Sequence, residues 1–173
     1  MNRRILFITL FAVTTVFSIS AQKLREGNLD FLKGETKLNI VFDYSNLKIE
    51  GRSEEYYIEK NGIKWKENWD NAKNEFFEKF VRNVNLKLIE KEKQLRCGNF
   101  LDSKYQATVR VLELDNDKDM DAEIIIAQMD NNQILARLTL TGKAGSFGTM
   151  TNLVGDAMKD AGEKIGKLLV KKL

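Results

Sequence analysis

The sequence predicts an α+β domain of two layers, an antiparallel-rich four-stranded sheet with helices packed on one face. Three observations lead there. Apolar and polar residues alternate near 37–45, 105–114, 121–129 and 133–141, the period of a half-buried strand. Between the first two of these segments, Trp69, Ala72, Phe76, Phe80, Val84 and Leu88 recur at helical spacing among mostly charged neighbours. At the end of the chain, Val154, Met158, Ala161, Ile165 and Leu169 form a second apolar stripe. The order strand, two helices, three-strand meander, helix is that of one α+β domain with its helices on one side.

Taken in order, the chain opens on a targeting signal. Arg3 and Arg4 precede an apolar run over 5–17, and small residues over 18–21 offer a cleavage site. The run is shorter than the ~20 residues a membrane-spanning helix needs. Residues 1–21 therefore read as a secretory signal peptide, which implies an exported protein, periplasmic or extracellular. No cysteine follows the apolar run, so a bacterial lipid anchor at that point is excluded.

Residues 22–35 are polar and read as a loose leader, with Leu29, Phe31 and Leu32 tucked onto a single domain over 36–173. In the first strand Leu38, Ile40 and Phe42 face one way and Asn39, Val41 and Asp43 the other. Ser53, Glu54 and Glu55 open a short helix that Asn61-Gly62 ends. A longer helix follows over about 67–88. Residues 96–99 read as a loop. Asp130-Asn131-Asn132 has the chemistry of a tight turn between the last two strands.

The final helix carries acids early and Lys164, Lys167, Lys171 and Lys172 late, which suits the helix dipole. Gly155, Gly162 and Gly166 share one shoulder between its apolar and charged arcs. Each costs roughly 1 kcal/mol against alanine in a helix, so the shoulder predicts a close approach by another backbone. With Gly142, Gly145 and Gly148 of the preceding loop, these glycines are the structural or interface candidates of the chain.

Composition excludes several function classes. There is no histidine, which removes Ser-His-Asp and Cys-His catalysts and the commonest metal ligand. Ala144-Gly-Ser-Phe-Gly148 has the outline of a nucleophile elbow but no histidine to serve it. The same glycines at a helix start would suit an anion, yet their spacing matches neither the Walker nor the dinucleotide pattern. Asp115, Asp117, Asp119 and Asp121 alternate as calcium ligands do, but Met120 and Ile126 stand where an EF-hand needs glycine and glutamate.

The full chain has 28 Lys and Arg against 25 Asp and Glu. Loss of Arg3 and Arg4 with the signal leaves 26 against 25, a nearly neutral protein without a nucleic-acid footprint. Cys97 is the single cysteine and reads as a small buried residue. No metal, cofactor or catalytic residue is expected.

The alternating strand, Gly142-Lys-Ala-Gly-Ser-Phe-Gly148, Asn152-Leu-Val-Gly-Asp156 and the Gly/Ala-containing closing helix together resemble small exported bacterial envelope proteins of unknown function. Those are similar to the α/β domain at the N-terminus of the Tol-system propeller protein and in related envelope lipoproteins. The resemblance implies an α/β domain in the envelope and no catalytic residues. This chain departs from the lipoprotein members by lacking their anchoring cysteine.

The expected function is a non-enzymatic binding or assembly module, with a protein partner or a second copy of the chain. Two alternatives are a hydrolase working with carboxylates alone and a membrane-surface protein acting through its basic C-terminal helix. Packing in cis is favoured for that helix, because the sheet needs a cover.

Overall fold

The computed structural model describes residues 22–173, so the expected signal segment lies outside the described residues. The elements run β1 (Gln22–Gly27), β2 (Lys37–Asp43), β3 (Lys48–Ile49), β4 (Arg52–Ser53), α1 (Glu54–Asn61), α2 (Ile63–Glu90), β5 (Arg96–Gly98), β6 (Tyr105–Leu114), β7 (Met120–Gln128), β8 (Ile134–Gly142) and α3 (Met150–Lys172). The α+β class and the helix positions follow the sequence patterns.

The core is built where those patterns point. Val109 of β6 is opposite Ile124 of β7, which is opposite Leu138 of β8. All three are at most 3 % exposed and face the helices. From α2, Trp69, Phe76, Phe80, Val84 and Leu88 close over them. Phe80 meets Phe42 of β2 edge-on at 5.3 Å, a favoured geometry for aromatic pairs. Val154, Met158, Ala161 and Leu169 of α3 complete the layer.

The sheet is larger than four strands and it is mixed. Among the described residues eight strands are joined, with β1-β8-β7-β6-β2-β5 as the main path, β3 attached at β6 and β4 paired to β3. β2 runs parallel to both β5 and β6. The α1–α2 crossover explains this, because a helical connection over one face brings the chain back in its original direction. Only the β6–β7–β8 meander and β1 are antiparallel along the main path.

Two expectations are corrected here. The leader is not loose: residues 22–27 form edge strand β1 on β8, with Leu24 opposite Leu138. A 3-10 turn over Asp30–Leu32 then buries Leu29 and Leu32. Residues 96–98 are not loop but strand β5, three residues long. Asn85 of α2 serves that strand: its amide donates to the Cys97 carbonyl at 2.7 Å and accepts from the Cys97 N–H at 2.8 Å. A side chain thereby satisfies strand groups that a further strand would otherwise have to meet.

Candidate interaction surface

The six candidate glycines are all used inside the chain. A Cβ on Gly162 would stand 3.1 Å from the carbonyl carbon of Phe80 and 3.2 Å from Asn83 Cβ. One on Gly166 would stand 2.7 Å from Lys87 Cβ and 2.9 Å from the Val84 oxygen. The glycine shoulder does admit a close backbone, and that backbone is α2 of the same chain. Gly155, a turn and more earlier, faces only the flexible end of the Lys79 side chain, its ammonium nearest. Gly142 ends β8 against α3, where a Cβ would stand 2.9 Å from the Ala157 carbonyl carbon. Gly145 lies under Asp156, and Gly148 holds φ +141° beside Asn152. Gly142, Gly155, Gly162 and Gly166 are buried, Gly145 is half-buried, and Gly148 is exposed in the loop.

The loop they shape is occupied by its own carboxylates. Asp160 accepts from the Lys143 N–H at 2.7 Å and Asp119 accepts from the Ala144 N–H at 2.8 Å. The Lys143 and Ala144 amides are thus already satisfied by fixed negative groups. Burial pushes the Asp119 carboxyl up, but hydrogen bonds from Lys143 and Ala144, with the charges of Lys143 and Lys164, outweigh it and hold the group below the usual carboxylate range. Asp115 closes its own turn, accepting from the Asp117 and Asp119 N–H groups at 2.9 Å each. The acidic segment is built as a hairpin turn, in which Asp115 and Asp119 serve backbone and lysine partners. At the loop's tip Phe147 is 92 % exposed.

The apolar stripe of α3 is likewise consumed: Val154, Ala157, Met158, Ala161 and Leu169 are buried in the core. A membrane-surface role for that face would require pulling the helix off the sheet. The helix is capped by Thr149, whose side chain accepts from the Asn152 N–H.

The sheet's second face is different. Its outward positions Thr108, Arg110, Glu123, Ile125 and Arg137 are half-buried and Val41 is exposed, whereas the core-facing positions between them are buried. Because strand side chains alternate, this face takes the positions between the core residues. Across five strands it carries one row of alternating charge. Glu26 of β1 pairs with Arg137 of β8 at 3.2 Å, and Arg137 with Glu123 of β7 at 3.4 Å. Glu123 pairs with Arg110 of β6 at 3.6 Å, and Arg110 with Asp43 of β2 at 3.1 Å. The Asp43 carboxyl is lowered chiefly by the Ser45 hydroxyl and N–H, with Arg110 adding to it.

Beside Asp43, Arg110 and Glu123 runs an uncharged strip, Val41 opposite Thr108 and Thr108 opposite Ile125, which ends at Arg137, the residue opposite Ile125 on β8. Val41 is 38 % exposed. The end of this face near β5 is closed by residues 99–104: Asn39, fully buried, accepts from the Phe100 N–H at 2.9 Å and donates to Gln106 at 2.9 Å. The sequence patterns locate these residues on the outward side of each strand. They do not show that the charges align, because that requires the strand register.

The acids speak to the hydrolase alternative. A carboxylate general acid needs a raised pKa to carry its proton near neutrality. Asp30, Asp43, Glu50, Glu55, Asp70, Asp102 and Asp119 are all shifted downward. Cys97 is 2 % exposed, and burial pushes its thiol up to about 12, which makes it a poor nucleophile.

No family model matches the chain, and no curated protein matches it. Among solved structures, it overlaps the PelC dodecamer from Paraburkholderia phytofirmans with 7 % identity and a TM-score of 0.41, covering 84 % of this chain and 97 % of that one. A point variant of the same PelC dodecamer gives 9 % identity and a TM-score of 0.41, covering 84 % and 94 %. Likeness at this level leaves function and assembly to be argued from the chain's own residues.

Proposed function

We propose that this chain is an exported, non-enzymatic module of the bacterial envelope that works by binding or assembly, docking through its uncovered sheet face. The observation that carries the reading is the row Glu26–Arg137–Glu123–Arg110–Asp43 beside Val41, Thr108 and Ile125. Single exposed ion pairs contribute only about 0–1 kcal/mol to a fold, so stability alone is a weak reason for four of them joined through five residues. In an interface the same row has a use. Its charges are already paired and its long side chains already ordered, which lowers the entropy lost on docking. The flat strip of Val41, Thr108 and Ile125 supplies surface without free charge. The segment over 1–21 motivates the export part of the proposal, and the absence of histidine with the lowered carboxylates motivates the non-enzymatic part.

The test is the mass in solution of the chain over 22–173, by light scattering, and its recovery of a partner from envelope fractions. Both are compared with the double variant Val41→Lys, Ile125→Glu, which leaves net charge unchanged. Self-association or partner recovery that the double variant loses supports the reading. A double variant that folds and forms the same complexes as the parent overturns it.

A further inference from the structure

The pattern of the sheet face also says what fits it, an inference that rests on the docking reading above and names the partner. Across the strands, in register, the face has two rows. One is Asp43 of β2, Arg110 of β6, Glu123 of β7, Thr139 of β8 and Lys23 of β1. The next is Val41, Thr108, Ile125, Arg137 and Glu26 on the same strands. Neither sign prevails, because Asp43, Glu123 and Glu26 stand against Arg110, Arg137 and Lys23. That disfavours a polyanion, an anionic membrane or a polycation. The signs alternate from strand to strand, at the ~4.8 Å spacing of a sheet. A complementary surface must alternate at the same spacing, and the face of another sheet does so. The same face of a second copy carries these very charges.

Symmetry then selects the placement. Sheets stack face to face with their strands within about 30° of each other, so a two-fold axis lying along the strands, in the plane between the sheets, relates two copies. An axis over β6 sets Arg110 on the partner's Arg110, and one over β7 sets Glu123 on the partner's Glu123. An axis between β7 and β8 brings Arg110 onto the partner's Lys23. Axes nearer either edge overlap fewer strands. An axis across the strands lays Arg110 on the partner's Arg110 or on the uncharged row. The axis between β6 and β7 overlaps four strands and opposes no like charges. Arg110 then faces the partner's Glu123, and Glu123 the partner's Arg110. Thr108 faces the partner's Ile125, and Val41 meets the partner's Arg137, whose aliphatic stem suits it.

We propose that this face docks a second copy of the chain about a two-fold axis between β6 and β7, with Arg110 of each copy against Glu123 of the other. Arg110 has donors for it. Its hydrogen bond to Asp43 uses Nε, and its 3.6 Å approach to Glu123 is longer than a hydrogen bond. The other guanidinium N–H groups can therefore reach a carboxylate across the interface. Its side chain is 36 % exposed and that of Glu123 28 %.

The test uses two single variants of the chain over 22–173, Arg110→Glu and Glu123→Arg. Each sets like charges together twice when it meets itself, whereas an equimolar mixture restores opposite charges at both contacts. By light scattering the parent should be a dimer, each variant alone should dimerise at least about tenfold more weakly, and the mixture should regain the dimer mass. Should charge reversal within the row unfold the chain, Thr108→Lys and Ile125→Glu make the same test, since each buries an unpaired charge alone and the two pair when mixed. A monomeric parent overturns this inference and leaves the sheet-face reading to the partner recovery described above. A dimer that survives Val41→Lys, Ile125→Glu lies elsewhere on the chain and overturns both. A dimer that the double variant loses, but that either single variant keeps or mixing fails to restore, overturns this pairing and leaves the face as the docking surface.

Discussion

Gly162 of α3 and Phe80 of α2 meet backbone to backbone: a Cβ on Gly162 would stand 3.1 Å from the Phe80 carbonyl carbon and closer still to its oxygen. This contact sets how near the two helices lie, and with it how tightly they cover the sheet. Gly162→Ala forces a rigid carbonyl to move, and overpacking of this kind costs about 1–3 kcal/mol. The gain in helix propensity, roughly 1 kcal/mol, offsets part of that. A net loss is expected in urea unfolding. Gly155→Ala meets only the flexible end of Lys79, so propensity prevails and the variant should be neutral or up to about 1 kcal/mol more stable. Equal effects at the two sites would refute the close-packing account.

Asn85 and Cys97 give a second expectation. Asn85→Ala strips partners from both the Cys97 N–H and its carbonyl. Leaving buried polar groups unmade costs about 1–3 kcal/mol, and hydrogen exchange should quicken first at β5. A variant with parental stability and unchanged exchange at Cys97 would show that β5 does not depend on Asn85.

The acid limb of the stability curve follows from the depressed carboxylates. Asp43 and Asp119 have folded-state pKa values below the ordinary Asp value. The unfolded chain therefore binds protons first as pH falls, and the stability these groups contribute is full above the unfolded value of about 3.9. That stability is lost as pH drops through the lower folded values. The midpoint for urea unfolding should be flat from neutrality to about pH 5 and fall below about pH 4. Asp119→Asn should flatten that fall. A parent protein whose stability rises on acidification would contradict the sign.

Cys97 should behave as part of the core. With its thiol buried and pushed up to about 12, a disulfide-forming reagent should label it only when the chain unfolds. The mass in solution should not depend on reductant. Rapid labelling in native buffer would place the thiol at a surface.

Phe147 offers a contrast with these buried groups. At 92 % exposure its side chain adds little to the fold, and Phe147→Ser should change stability by less than about 0.5 kcal/mol. A larger loss would mean that the loop tip folds back onto the domain.

Much of this was legible from residues alone. The stripes from Trp69 to Leu88 and from Val154 to Leu169, the alternation of β6 and the helix start at Ser53 are local patterns, and each produced the element it suggested. The misses have a common cause. β1 shows one apolar residue, Leu24, and β5 only three residues in all, so neither carries a period. They are strands because β8 and β2 offer them backbone partners. The glycine shoulder was legible as a close approach but not the identity of its partner, which for Gly162 and Gly166 is α2.

The sequence by itself determined which residues enter the core, because burial follows from side-chain chemistry and the periods of helix and strand. It also determined the lack of histidine chemistry. Only the tertiary structure decided the parallel placement of β2 and the alignment of Glu26, Arg137, Glu123, Arg110 and Asp43 into one row. Those depend on register and on contacts between residues far apart in the chain, where a shift of one residue would turn every charge of the row to the other face.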